Sequence, residues 1–315
     1  MDTVLALLAP GQGSQTPGMF APWLELEGTR ERVAGWSELT GLDLVELGTV
    51  ADADAIKDTA ITQPLVVALA LLAFGELEKR HELPADVLVA GHSVGELAAA
   101  AMAGVLSADD AVALAAVRGR EMAAACELAP TGMAAVMGGE PEQVVEWLAE
   151  YDLVPANMNG AGQIVAAGSL ESIDKIVDAK PEFLKKIIKL KVAGAFHTHY
   201  MAPAREAMRE KAAGITVADP SRTLLSNADG EVVTSGAEML DRLVEQVTLP
   251  VRWDTCMATM TARGVGALAE LPPAGALTGL ARRELTGVTI AGLKKPQDLE
   301  KVAAAIDGDA GETSA

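Results

Sequence analysis

VLVAGHSVGELAAAAMAG, residues 87–104, sets the architecture. Its four apolar residues, Val87 to Ala90, read as a buried strand; a glycine turn follows at once, and the alanine-rich run reads as a helix. Strand, tight turn and helix in direct succession are the building unit of a mostly parallel sheet covered on both faces. Upstream, Val4 to Ala9 is an apolar run stopped by Pro10 and Gly11, a strand entering the loop GQGSQ. Helical periodicity from about Pro22 to Ala34, from Pro64 to Arg80 and from Ala108 to Glu127 completes a first α/β block.

Between Gly132 and Ala193 the pattern changes. Strands are expected at Met133 to Met137, Leu153 to Ala156, Ile164 to Ala167 and Ile187 to Val192, with helices at Glu142 to Glu150 and Glu171 to Ala179. The order β-α-β-β-α-β is the split βαβ arrangement, which can bury its own sheet face. It reads as a small subdomain over 131–194, inserted in a larger one formed by 1–130 and 195–315. After Phe196 helices are expected near Met201 to Ala213, Ala237 to Val247, Trp253 to Ala262 and Gly275 to Glu284, and strands at Gly266 to Leu271 and Val288 to Ala291. The acidic, polar tail Gly308 to Ala315 is expected to fray.

Composition narrows the function. The 315 residues are 50% hydrophobic and 22% charged, which supports a substantial core. A formal charge of −19 argues against a nucleic-acid surface, which needs clustered cations to displace counterions. The opening MDTVLALLAPG lacks the basic start of a signal peptide. The apolar run Leu65 to Phe74 is shorter than the roughly 18 residues of a membrane span. Cys126 and Cys256 stand alone in apolar segments and read as buried thiols. A cytoplasmic, reducing location is the default expectation.

Gly91-His92-Ser93-Val94-Gly95 matches G-x-S-x-G, a weak string alone but one that here follows a strand and opens a helix, as a nucleophile turn requires. Gly91 and Gly95 lack the Cβ atoms that would collide where the backbone reverses, so the Ser93 hydroxyl can project. The helix start aims free N–H groups at any negative charge formed beside it. A serine needs a base, and the chain offers His81, His92, His197 and His199. His81 lies in the charged stretch EKRHELP and His92 is adjacent to the serine, where successive side chains diverge. His197 or His199, in AGAFHTHY, is the expected base, and spacing does not choose between them.

Arg118, in the apolar helix ALAAVRGREMAAA, either reaches solvent at a rim or meets a substrate carboxylate. Lys185, Lys186, Lys189 and Lys191 form a cationic run in an acidic chain. They are either a solvated face or an attraction for an acidic partner. No Walker loop, dinucleotide fingerprint, HExxH or metal-spaced cluster is present, so neither cofactor nor metal is expected.

PGQGSQ at 10–15, TQP at 62–64, GHSVGE at 91–96, Arg118-Gly119, NMNGAGQIVAAG at 157–168, GAFH at 194–197 and ELPPAGALTGL at 270–280 together resemble the malonyl-CoA:acyl carrier protein transacylase family of bacterial type II fatty-acid and polyketide synthesis. The last segment departs from the family's usual GPG by reading Leu-Pro-Pro. The resemblance spans nearly the whole chain and implies an α/β fold: an α/β-hydrolase-like core with an inserted ferredoxin-like unit. It implies Ser93 as nucleophile, His197 as base, the backbone carbonyl of Gln246 orienting that base, and the backbone N–H groups of Gln12 and Val94 as oxyanion hole. Arg118 would hold the malonyl carboxylate, with Phe196, Gln63, Met122 and His92 also at the substrate. The partners implied are malonyl-CoA and an acyl carrier protein, with no cofactor; charge and run length add no nucleic acid and no membrane, and nothing in the sequence demands more than a monomer. Phe196 is the residue of malonyl-selective relatives and would crowd an α-methyl group.

Within enzymes, a serine hydrolase built on the same turn is the rival. Such enzymes commonly place the triad histidine late in the chain, whereas no histidine follows His199 here. A carrier-protein-binding scaffold without catalysis is the rival from another class.

Overall fold

Apolar runs that end in glycine become adjacent parallel strands. In the computed structural model, which describes residues 4–306, β1 (Val4–Ala9) leads through α1 (Thr29–Thr40), α2 (Leu44–Thr49) and α3 (Thr59–Arg80) to β2 (Leu88–Gly91). The chain continues through α4 (Gly95–Met102) and α5 (Ala108–Cys126). It then passes through β3 (Thr131–Met137), α6 (Pro141–Ala149), β4 (Val154–Met158), β5 (Gln163–Ser169), α7 (Leu170–Asp178) and β6 (Lys186–Lys189). The remainder holds α8 (Ala202–Ala212), β7 (Thr223–Leu225), β8 (Val232–Val233), α9 (Gly236–Glu245), β9 (Val251–Arg252), α10 (Trp253–Ala262), β10 (Val265–Glu270), α11 (Ala276–Glu284), β11 (Thr289–Gly292) and α12 (Leu299–Ile306).

The large sheet has the order β11-β10-β1-β2-β7-β8, parallel except for its last pair. Alternation along β1 explains why its sequence is apolar throughout. Leu5, Leu7 and Ala9 enter a core shared with α3, α4 and α5, while Ala6 and Leu8 enter a second core shared with α10 and α11. The small sheet has the order β6-β3-β5-β4-β9. One of its faces, with Ala134, Val136, Ile164 and Ala166, packs on Val144, Leu148, Ile173 and Ile176 of α6 and α7. The other, with Met133 and Val165, turns toward the main core.

Several expectations shift. The first helix begins at Thr29, not Pro22, because Gly28 takes a left-handed conformation immediately before it, and it ends on a left-handed Gly41. Helix α3 begins at Thr59, not Pro64: the Asp58 side chain caps it by accepting from Ala60 N, and Pro64 sits inside. It is the one helix among the described residues long and apolar enough to cross a membrane, and 83% of that apolar window is buried inside the fold. Strand β6 ends at Lys189 and not Val192, since only Lys186–Lys189 pair with β3. The short elements α2, β7, β8, β9 and α12 escaped the sequence reading. Of these, β9 joins the small sheet from outside 131–194, pairing parallel to β4. The tail 308–315 lies outside the described residues.

Candidate active site

The turn between β2 and α4 can form only with glycine at both ends. A Cβ on Gly91 would lie 2.1 Å from the Gly95 carbonyl, and one on Gly95 would lie 2.3 Å from the Ala9 carbonyl oxygen of the neighbouring strand. Between them Ser93 is held at φ 53°, a left-handed conformation that costs a non-glycine residue on the order of 1–3 kcal/mol. Asn227 holds it there from the loop after β7. Its Oδ1 accepts from Ser93 N at 2.8 Å and its Nδ2 donates to Gly91 O at 2.8 Å.

The Ser93 hydroxyl donates to His197 Nε2 at 2.7 Å. On the far side of the ring, Nδ1 is 2.9 Å from the Gln246 carbonyl oxygen. A carbonyl only accepts, so Nδ1 carries the proton and Nε2 presents a lone pair to the serine. His197, also left-handed at φ 60°, is 3% exposed. His199, the alternative left open by spacing, is exposed and stacks on Tyr200 with ring centroids 4.2 Å apart.

Arg118 is 2% exposed and not a rim residue. Gly119 allows this: a Cβ there would lie 2.6 Å from Thr59 O, so α5 can press against the start of α3. Arg118 Nη1 donates to Gln63 Oε1 at 2.8 Å, and Nη2 donates to Gln246 Oε1 at 3.0 Å and Ser93 Oγ at 3.2 Å. Gln63 Nε2 reaches Met122 Sδ at 3.5 Å. The N–H groups of Gln12 and Val94 have no intramolecular acceptor among the described residues, and both residues line the cavity beside Ser93.

That cavity, about 530 Å³, is closed on one side by Gln63, His92, Ser93, Arg118 and Met122, and on the other by Met133, Val165, Leu190 and Val192 from the small sheet and its flank. Phe196 lines it beside His197. His92 diverges from Ser93, as expected of sequence neighbours, yet stays at the site: its Nε2 bonds Asn159 Oδ1 at 2.9 Å. Lys185, Lys186, Lys189 and Lys191 lie outside the cavity, all exposed on or beside edge strand β6, and Lys189 pairs with Asp174 at 2.5 Å. Gln246 lies behind the cavity wall. Its side chain, for which the sequence held no expectation, joins Arg118 to the serine turn. Asn227 and the fully buried Glu96 were likewise missed, although Glu96 lies within the quoted motif.

Burial governs the charges. It lowers His197 to about 3, with the Arg118 cation adding to the effect, so the imidazole is neutral near pH 7. Burial pushes Glu96 up to about 8 against the pull of the Asn227 and Gln246 donors and of Arg118. Arg118 falls to about 10 through burial, opposed by Glu96, and remains a cation. Burial also lowers His92 and raises both cysteines. Among the described residues no cluster of His, Cys, Asp or Glu could hold a metal.

A serine on a strand-to-helix turn, bonded to a neutral histidine and flanked by free backbone donors, defines an acyl-transfer class of enzyme. Residues 7–305 match the acyl transferase domain family. The malonyl CoA-acyl carrier protein transacylase of Mycobacterium tuberculosis H37Rv is 55% identical over 301 residues, covering 95% of this chain and 99% of its own; that of Escherichia coli K12 is 34% identical over 300 residues, covering 93% and 97%. The M. tuberculosis crystal structure superposes with a TM-score of 0.91 at 54% identity, over 95% of this chain and 99% of that one. A malonyl-transacylase solved in complex with its type II PKS acyl-carrier protein superposes with a TM-score of 0.89 at 29% identity, over 97% and 100%. The chain belongs to the acyl transferase family and, within it, to the malonyl CoA-acyl carrier protein transacylases.

Proposed function

We propose that the chain moves a malonyl group from malonyl-CoA to the phosphopantetheine thiol of an acyl carrier protein through a malonyl ester on Ser93. The 2.7 Å contact between Ser93 Oγ and His197 Nε2, with Nδ1 committed to Gln246 O, is the observation that carries this reading. Ser93 Oγ attacks the thioester carbonyl as its proton passes to Nε2, and the N–H groups of Gln12 and Val94 receive the oxyanion. The coenzyme A thiolate leaves and takes the proton from His197. The carrier thiol then gives its proton to Nε2 and attacks the ester, and Ser93 Oγ recovers a proton as it departs. Arg118 grips the malonyl carboxylate, for which its neighbouring contact with Ser93 Oγ supplies the right range, and the Phe196 ring crowds an α-substituent.

Every group in this sequence of steps comes from one chain, which supports action as a monomer without a cofactor. The exposed lysines of β6, next to cavity-lining Leu190 and Val192, support docking of an acidic carrier at the cavity mouth. The relative solved with a polyketide carrier supports polyketide as well as fatty-acid service. We read the core as α/β-hydrolase-like over 1–130 and 195–315 and the unit 131–194 as ferredoxin-like, on the strand order β6-β3-β5-β4. A cytoplasmic place goes with these partners. Intact-mass spectrometry after mixing with malonyl-CoA should show one malonyl adduct on Ser93, transferable to carrier protein; an adduct on Ser93→Ala, or release as free malonate only, overturns the reading.

A further inference from the structure

Glu96 is a buried acid to which the proposed reaction gives no part. It stands in the first turn of α4, 1% exposed, and touches none of the reacting atoms. One carboxylate oxygen accepts from Asn227 N at 2.6 Å and the other from Gln246 Nε2. Those two residues hold the rest of the site. Asn227 pins the serine turn through Ser93 N and Gly91 O. Gln246 gives its main-chain carbonyl to His197, its Oε1 to Arg118, and a second Nε2 hydrogen to Ser93 O at 3.2 Å.

We infer that Glu96 is a positioning residue that fixes Asn227 and Gln246 against α4 and so sets the register of Ser93 with His197. The inference rests on the acyl-serine reading above. The geometry explains why the position calls for a carboxylate. Both neighbours present donors, and a carboxylate accepts at both oxygens, whereas an amide of the same shape offers one acceptor and a donor. Glutamine at 96 therefore sets donor against donor at Asn227 or at Gln246. If Gln246 turns its amide to recover, it presents a donor to Arg118 and withdraws one from Ser93 O. No rearrangement of the pair satisfies every buried group. Burial holds Glu96 near 8, so the match of two acceptors to two donors is complete above that pH, where the carboxylate also stands as the opposite charge to Arg118 inside the same network.

The test is single-turnover malonylation of Ser93 at about pH 9, where Glu96 is ionised, followed by intact mass, on the wild type, Glu96→Gln, Gln246→Ala and the double variant. Displacements near 1 Å cost up to about 100-fold in rate, so Glu96→Gln should acylate at least about tenfold more slowly. It should still reach full stoichiometry, with half-saturating malonyl-CoA within about threefold of wild type. Gln246→Ala keeps its carbonyl and should lose a similar factor, and the double variant should lose little beyond the worse single one, because both act on one path. A wild-type rate constant in Glu96→Gln overturns the inference. So does a loss confined to the fraction of molecules acylated at an unchanged rate constant, or losses that multiply in the double variant. If Glu96→Gln yields no folded protein, Glu96→Asp, with both acceptors on a shorter stem, carries the same expectation and the same refutation. A wild type that forms no Ser93 adduct sinks the acyl-serine reading instead, and the two failures are told apart.

Discussion

Replacing Arg118 by alanine separates binding of the acyl group from the chemistry done on it. In the resting site the guanidinium is spread over Gln63 Oε1, Gln246 Oε1 and Ser93 Oγ at 2.8, 3.0 and 3.2 Å. Its Oγ contact is the weakest and the one a substrate carboxylate would replace. Hydrogen bonds to charged groups contribute about 1.5–3 kcal/mol each, so a bidentate grip on the malonyl carboxylate supplies about 3–6 kcal/mol. At about 1.4 kcal/mol per decade, that is roughly 10²- to 10⁴-fold in kcat/KM for malonyl-CoA. Acetyl-CoA has no carboxylate to lose. The variant also strips donors from Gln63 and Gln246 and leaves Glu96 without its cation, a loss common to both substrates. The ratio of the two kcat/KM values, measured by acylation of Ser93 and normalised to burst amplitude, cancels that shared part. It should fall by at least about 100-fold. An equal loss for both thioesters would remove the carboxylate role from Arg118.

Three further outcomes are expected. Val94 has φ −56°, close to the angle proline imposes, so Val94→Pro deletes the proposed oxyanion N–H at a φ proline accepts; kcat should drop at least about 10²-fold, and a loss under threefold would exclude that N–H from the reaction. Because burial and Arg118 hold His197 near 3, kcat/KM for acylation should stay level as pH falls from 7 to 5, and a limb with its midpoint near 6.5 would show that the imidazole is not so held. The matching stability term has a definite sign: the unfolded imidazole takes a proton below 6.5 and the folded one does not, so stability is complete above 6.5 and declines as pH falls toward 3, and His197→Gln should flatten that decline in thermal melts. Lys185 and Lys186, which form no ion pair among the described residues, should when reversed to glutamate raise KM for carrier protein several-fold at low salt and spare acylation by malonyl-CoA; unchanged carrier KM would move docking elsewhere.

The parts of this architecture that were legible are those with a local cause. β2, the turn and α4 follow from apolar run, paired glycines and alanine-rich helix within one short segment, and the β-α-β-β-α-β order follows from alternating periods. Ser93 and the pair His197 and His199 could be picked out because a nucleophile turn is rare and histidines are few; only the family resemblance chose His197. What stayed hidden is what long-range contacts create. β9 is two residues long, too short for any period, and belongs to the small sheet only because Asn157 and Met158 pair with it. Asp58 became the start of α3 by capping, while Pro64, which reads as a helix start, was carried inside. Asn227 in SNADG has the composition of an ordinary turn, and Gln246 was expected to act only through its carbonyl. Their side chains acquire work by meeting Ser93 and Glu96 across 134 and 150 positions of sequence. A serine or histidine announces its chemistry by its type; an amide bonded to them is known only by what the fold sets against it, which is why candidates for the proposed reacting pair can be read from the chain and the amides around them cannot.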